Sequence, residues 1–272
     1  DIATRAVKEG KAASGVDNAL GAENFPILAQ KLNVKVIHIA ERDTQISDKP
    51  KQVYEFVNTW SVEGFYEEGI APAELGWGTH EKSLPVNGYE HPSGPKNQIC
   101  IAQPGAKTWV RSWVPNMETT GMVIRHGEAF TISDHLTVWE GNKAAYRPTV
   151  HYAYCPTDAA VASMHELEMR QWDLTPNQRI MNEEIIDGDD RLGVLLMGHP
   201  YKSWWTGSLL NIHDSRKLVP KQSATTVQVA SAVYAAVAWA MANPNAGYRV
   251  PDELPWREVL GYAEKYWGGY RS

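Results

Sequence analysis

The sequence predicts an α+β fold, a mixed or antiparallel sheet with helices on one face. Segments rich in β-branched and aromatic residues follow one another along the chain, and few long helices separate them. Several of these segments come as adjacent pairs with a Gly-containing turn between them, the pattern of hairpins. Hydrophobic residues make up 43% and charged residues 21% of the 272, ordinary globular usage that excludes a disordered tail.

The elements follow in order. Residues 1–22 are mixed and rich in Gly and Ala, a helix and then a loop, and Glu23 to Leu32 reads as a short helix with Pro26 in its first turn. VKVIHIAERDTQ is short and β-branched and alternates, which predicts a strand buried on both faces. VYEFVNTWSVEGFYEEG from Val53 reads as a second strand, and Ala71 to Trp77 as a helical turn. QICIAQPG and WVRSWVP read as two strands joined at Pro104-Gly105. Residues 121–154 are strand-rich, with a hairpin tip at Glu140-Gly141-Asn142, and His165 to Gln171 reads as a short helix. DRLGVLLMGH and YKSWWTGSLLNI form a hairpin-like pair. Two helices then end near Asn243, and Glu258 to Tyr266 forms another. The most apolar stretch, Ala224 to Ala242, carries Thr225, Thr226, Gln228 and Ser231, so it reads as a close-packing buried helix and not a membrane span.

Composition narrows the function. The 26 basic residues are outnumbered by 32 acidic ones, giving a net charge of −6 and no basic footprint for nucleic acid. Cys100 and Cys155 are too few for a disulfide framework, and the expectation is two thiols in a reducing cytoplasm. Asp1 is followed by no signal-like segment, and the chain reads as a piece of a longer one. There is no G-x-G-x-x-G, no P-loop, no H-E-x-x-H and no G-x-S-x-G, so neither a dinucleotide fingerprint, a metal site nor a serine nucleophile is expected from motifs.

What stands out is a band of carboxylates within apolar, aromatic segments. Glu41 ends VIHIAE, Glu63 and Glu68 follow Trp60, and Glu128 follows His126 by two. A carboxylate in such a run is costly to bury alone. Either it pairs with Arg42, Arg111 or Arg125, or it takes a cation from outside. A Trp face beside it would add about 0.5–2 kcal/mol of cation–π attraction. The combination suits a diamine, with ammonium ends for the carboxylates and a methylene stem for the Trp and Tyr walls.

At these residues the sequence resembles a known family. HIAERDTQ (38–45), NTWSVEGFYEEG (58–69), PAELGWGTHE (72–81), QPGAKTWVRSW (103–113) and YRPTVHYAYCPTDAAVASMHE (146–166) are similar to segments of the bacterial homospermidine synthases. So are DGDDRLGVLLMGH (187–199) and SATTVQVASAVYAAVAWAMANPNAG (223–247). The likeness runs in order from about Val34 to Gly247. The family belongs with the saccharopine-dehydrogenase-like NAD enzymes. It implies a cytoplasmic homodimer with an N-terminal Rossmann half, which holds most of the NAD, and a second half that builds the substrate pocket. The implied reaction is the condensation of two putrescine molecules: NAD⁺ oxidises the first, ammonia leaves, the second adds, and the retained hydride reduces the product to homospermidine.

The resemblance also implies roles. It places catalysis on Glu41, Trp60 and Glu68, and substrate binding on these three with His126, Glu128 and Asp190. Two positions depart from the family pattern, Gly127 where an Asn is expected and Arg191 where an acidic residue is expected. The implied organisation is a helix and linker over 1–33, a substrate-binding and dimerisation domain over 34–222, and C-terminal helices over 223–272 packing toward the Rossmann half. Two other readings stay open, a related condensing enzyme making a carboxylated polyamine, such as carboxynorspermidine synthase, and a noncatalytic dimerisation fragment. A cationic residue facing a substrate carboxylate would mark the first.

Overall fold

The structure, a computed structural model, describes residues 1–94 and 96–272. It is α+β, with a mostly antiparallel ten-stranded sheet. The strands are β1 (Val36–Asp43), β2 (Pro72–Gly76), β3 (Gly88–Glu90), β4 (Gln98–Pro104), β5 (Trp109–Val114), β6 (Met117–Met122), β7 (Thr149–Cys155), β8 (Asp189–Met197), β9 (Ser203–Asn211) and β10 (Tyr270–Arg271). The helices are α1 (Ile2–Lys8), α2 (Val16–Gly21), α3 (Phe25–Lys31), α4 (Val62–Ile70), α5 (Glu128–His135), α6 (Asp158–Met169), α7 (Ile212–Leu218), α8 (Ala224–Ala242) and α9 (Trp256–Ala263).

β1 is central, as its apolar alternation predicts. It pairs in parallel with β7 and antiparallel with β8, which continues through a hairpin into β9 and then β10. The far edge of β7 is divided. Val150 pairs with Gly76 of β2, and Tyr154 pairs with Met122 of β6. One face of the sheet, carrying Ile37, Ile39, Val150, Tyr152 and Tyr154, packs on apolar residues of α1 to α4 and α6. On the other face Ala40 and Leu195 pack against Val114 of β5 and Trp205 of β9.

Five local readings change. The segment from Val53 is a strand only over Phe56–Asn58, after which Ser61 caps α4 by accepting the N–H of Gly64, with Glu63 in the first turn. That Ser–x–Glu start is a helix signal which the aromatic density of the run concealed. Ala71 to Trp77 contains strand β2 and not a helical turn, because Pro72 follows the end of α4 and Leu75 and Ala73 face an apolar layer with Ile99 and Ile101. Within 121–154, residues 128–135 are helix α5; the expected hairpin tip stands, between the short strands Val138–Glu140 and Lys143–Tyr146. The helix expected at His165 begins seven residues earlier, at Asp158, where Thr157 caps it. The strands on either side of Pro104-Gly105 form as expected but do not pair with each other. β4 pairs with β2, and β5 with β6.

Candidate active site

Alternation along β1 puts Ile37, Ile39, Glu41 and Asp43 on the helix-covered face. Glu41 lies between Tyr154 of β7 and Leu192 of β8. Its side chain is 5% exposed, and the Tyr152 hydroxyl donates to Oε2 at 2.7 Å. Arg42 points the other way, donating to the Pro156 carbonyl at 2.6 Å and pairing with Asp158. Glu41 therefore has no basic partner from its own strand. Burial pushes its pKa up to about 8, helped by the charges of Asp43 and Glu68 and opposed by the Tyr152 hydrogen bond and His126.

Trp60 stands between the short strand Phe56–Asn58 and the cap of α4. Its indole N–H donates to the Tyr154 hydroxyl at 2.8 Å, and the ring packs near Phe65 and Tyr154. Glu68 lies on α4. Its Oε1 is 3.5 Å from His126 Nε2, and its buried Oε2 has no hydrogen-bond partner. Burial lifts its pKa to about 7, with the charges of Glu128 and Glu67 adding to the rise and His126 opposing it. His126 Nδ1 is hydrogen-bonded to Glu128, the first residue of α5. Burial acts to lower the His126 pKa, but the Glu128 hydrogen bond and the charges of Glu128, Glu68 and Glu41 outweigh it, and the net shift is upward.

These residues meet in one cavity of about 540 Å³. Glu41, Tyr152 and Tyr154 line it from the sheet, and Trp60, Glu68, His126 and Glu128 from α4 and the start of α5. Thr225, Gln228, Val229 and Val233 of α8 form the opposite wall, closed by Trp267 and Tyr270. Among the described residues lining it there is no Lys or Arg. Asp190 is not part of the lining. It sits in register with Asp43 on the neighbouring strand, fully buried, with no partner for either carboxyl oxygen, and burial together with the charges of Glu41 and Asp43 drives its pKa well up. Arg191 points out of the site; it pairs with Asp189 at 3.0 Å and donates to the Pro115 carbonyl. Gly127 precedes α5 with open space beside it. A larger groove of about 640 Å³, at Trp113, Arg191 and Trp205, lies elsewhere, and its Asp189–Arg191 pair already neutralises itself.

Sequence reasoning passed over Tyr152, Tyr154, Asp43 and the α8 wall. The tyrosines carried a usable signal, since HYAYC alternates and parallel pairing with β1 sets Tyr154 beside Glu41.

The sequence model of the saccharopine dehydrogenase C-terminal domain matches residues 10–267. The chain belongs to that family. It is 47% identical over 249 residues to a homospermidine synthase of Mesorhizobium japonicum, an alignment covering 90% of this chain and 51% of the relative. It is 50% identical over 252 residues to a homospermidine synthase of Blastochloris viridis, covering 90% and 52%. The crystal structure of the homospermidine synthase from Legionella pneumophila in complex with NAD superposes with a TM-score of 0.88 at 41% identity, covering 90% of this chain and 54% of that one. The chain thus spans about half the length of the relatives it matches.

Proposed function

We propose that this chain forms the diamine-binding half of an NAD-dependent homospermidine synthase, which condenses two putrescine molecules with release of ammonia. The observation that carries the reading is the cavity itself. Glu41 and Glu68 are held at raised proton affinity beside the half-buried Trp60, with His126 as the basic side chain in the lining and no Lys or Arg among the described residues that form it. Such carboxyls gain most from an incoming ammonium, which replaces the lost solvation and stabilises their charged forms. Trp60 supplies a π face, and the apolar Val229 and Val233 a surface for a methylene stem. Among the described residues that line it, none is a Lys or Arg that could face a substrate carboxylate.

NAD would supply the hydride chemistry. The lining is acidic and the chain has no G-x-G-x-x-G, so these residues do not fit the diphosphate of a dinucleotide; that binding is assigned to the other half that the relatives possess. This chain's residues bind and orient the amine, and the Glu68–His126–Glu128 chain can hold or move a proton beside it.

α8 is buried along one side only, where the sequence predicts a close-packed buried helix, and its open side supports the expected organisation. Among the described residues it is the one helix long and apolar enough to span a membrane, yet Thr225, Gln228 and Ser231 are buried, while Val237 and Met241, beyond the part that walls the cavity, are exposed. We assign that outer face to contact with the Rossmann half of a cytoplasmic enzyme. Trp109 and Trp113, both exposed on β5 on either side of the Arg111–Glu118 pair, offer a face for the homodimer.

The test is calorimetric titration of the intact enzyme with putrescine at pH 8. Binding that is lost in Glu41→Gln supports the reading. Absence of binding in the wild type overturns it.

A further inference from the structure

Asp43 is fully buried, and the amine-binding role above makes no use of it. It follows Glu41 by two residues on the same face of the central strand. Its Oδ1 accepts the backbone N–H of Gln45 at 2.9 Å and the Gln45 amide at 3.0 Å. Its Oδ2 accepts the Thr59 hydroxyl at 2.6 Å and the Thr225 hydroxyl at 2.8 Å. Four donors occupy the carboxylate's acceptor sites.

Gln45 continues Asp43's own strand, whereas the two hydroxyl donors come from separate segments that carry the cavity wall. Thr59 immediately precedes Trp60, and Thr225 is the second residue of α8. The ties are doubled. The Ser223 and Thr226 hydroxyls both donate to the Thr59 carbonyl, at 2.7 and 3.0 Å. Gln45 Oε1 accepts the N–H of Ala224 at 2.8 Å, one of the first-turn groups that no helix can satisfy internally. The close approach of β1's continuation to β8 depends on Gly188, whose φ of +108° and contact with Gln45 leave no room for a Cβ.

We propose that Asp43 is a positioning residue that sets the diamine length the cavity accepts, by fixing Trp60 and the first turn of α8 relative to Glu41. The inference rests on the diamine reading. Glu41 and Asp43 share a rigid central strand, two residues or roughly 7 Å apart along it. The carboxyl of Asp43 transfers that fixed reference to the aromatic face and to the helix that carries Val229 and Val233. A site held this way keeps its spacing because each contact is locked by a second one.

A buried network that merely stabilised the fold would behave differently, and binding selectivity separates the two. Dissociation constants of the intact enzyme for 1,3-diaminopropane, 1,4-diaminobutane and 1,5-diaminopentane are measured beside the melting temperature. In Asp43→Ala the preference for the four-carbon diamine falls by about tenfold, the lower end of what one methylene is worth in a fitted pocket. Asp43→Asn retains most of the preference, because its carbonyl still accepts from Gln45 and the threonine hydroxyls can turn to accept from its amide. Loss of stability alone weakens all three diamines alike and leaves the ratio unchanged. Should Asp43→Ala fail to fold, Thr59→Val and Thr225→Val each remove one tie, and the ratio falls in both. An unchanged ratio in Asp43→Ala, or in both threonine variants, overturns the inference. So does a wild type that binds the three diamines equally, which leaves the diamine reading standing. A wild type that binds none of them overturns the diamine reading and this inference with it.

Discussion

Glu41 and Asp43 are two buried carboxyls on one face of one strand, and their surroundings differ. Asp43 accepts four hydrogen bonds and touches no cavity; Glu41 accepts one, from Tyr152, and faces open volume. Burial alone would class them together. The count of donors separates them: a fully bonded acid joins pieces of the fold, whereas one left short of donors beside a cavity is completed by something that binds.

The sharpest break of this comparison is Glu41→Gln. The amide keeps the shape and removes the charge that meets an ammonium. Losing one partner of a desolvated charge pair costs about 3–5 kcal/mol, so kcat/KM should fall by roughly two to three and a half powers of ten. The same change should not weaken the fold at alkaline pH. The folded protein holds the Glu41 proton more tightly than the unfolded chain, so this group's contribution to stability is present below its ordinary 4.5 and is lost as pH rises through about 8. Thermal unfolding at pH 5 and pH 9 should show a smaller alkaline fall in Glu41→Gln than in the wild type. A large drop in melting temperature at both pH values would make Glu41 an acid of the Asp43 kind.

Trp60→Ala comes next. It removes the π face and part of the wall, and a loss near 2 kcal/mol corresponds to about a thirtyfold fall in diamine affinity. Trp60→Phe should retain part of the affinity. Circular dichroism of both should remain that of the folded protein, since Trp60 is only half-buried.

The pH profile sharpens the comparison further. On the proposed diamine reading, binding needs Glu41 and Glu68 ionised, and burial holds them at about 8 and about 7. kcat/KM should therefore rise with pH across 7 to 8 and level off above, where a site of ordinary carboxylates would already be flat from pH 6. In Glu68→Gln the lower of these two titrations should disappear from the acid limb.

The smallest effect belongs to Arg42, whose side chain points away from Glu41. Arg42→Gln should cost about 1–2 kcal/mol through the lost Pro156 hydrogen bond and leave kcat/KM of the folded enzyme unchanged. A fall in activity comparable to that of Glu41→Gln would restore the pairing of Glu41 with Arg42 as the explanation of its burial.

The alternation of VIHIAERD determined that Glu41 and Asp43 share a face and that Arg42 leaves it, because side chains of a strand alternate by geometry. The hairpin of β8 and β9 and the apolar, Thr-bearing α8 were equally legible, since each is specified by neighbours in the chain. Helix α4 was hidden because its aromatic residues resemble those of a strand, and only Ser61 and Glu63 mark its start. The difference between the two carboxyls was only partly local. Two of the donors to Asp43 belong to Gln45, two residues on, but the two that reach across the fold come from Thr59 and Thr225, 16 and 182 residues away, and the donor to Glu41 comes from Tyr152, 111 residues away. No local pattern records which distant hydroxyl will reach a given carboxyl. The packing of α8 and β7 against β1 decided that, and with it which acid became part of the frame and which was left to bind.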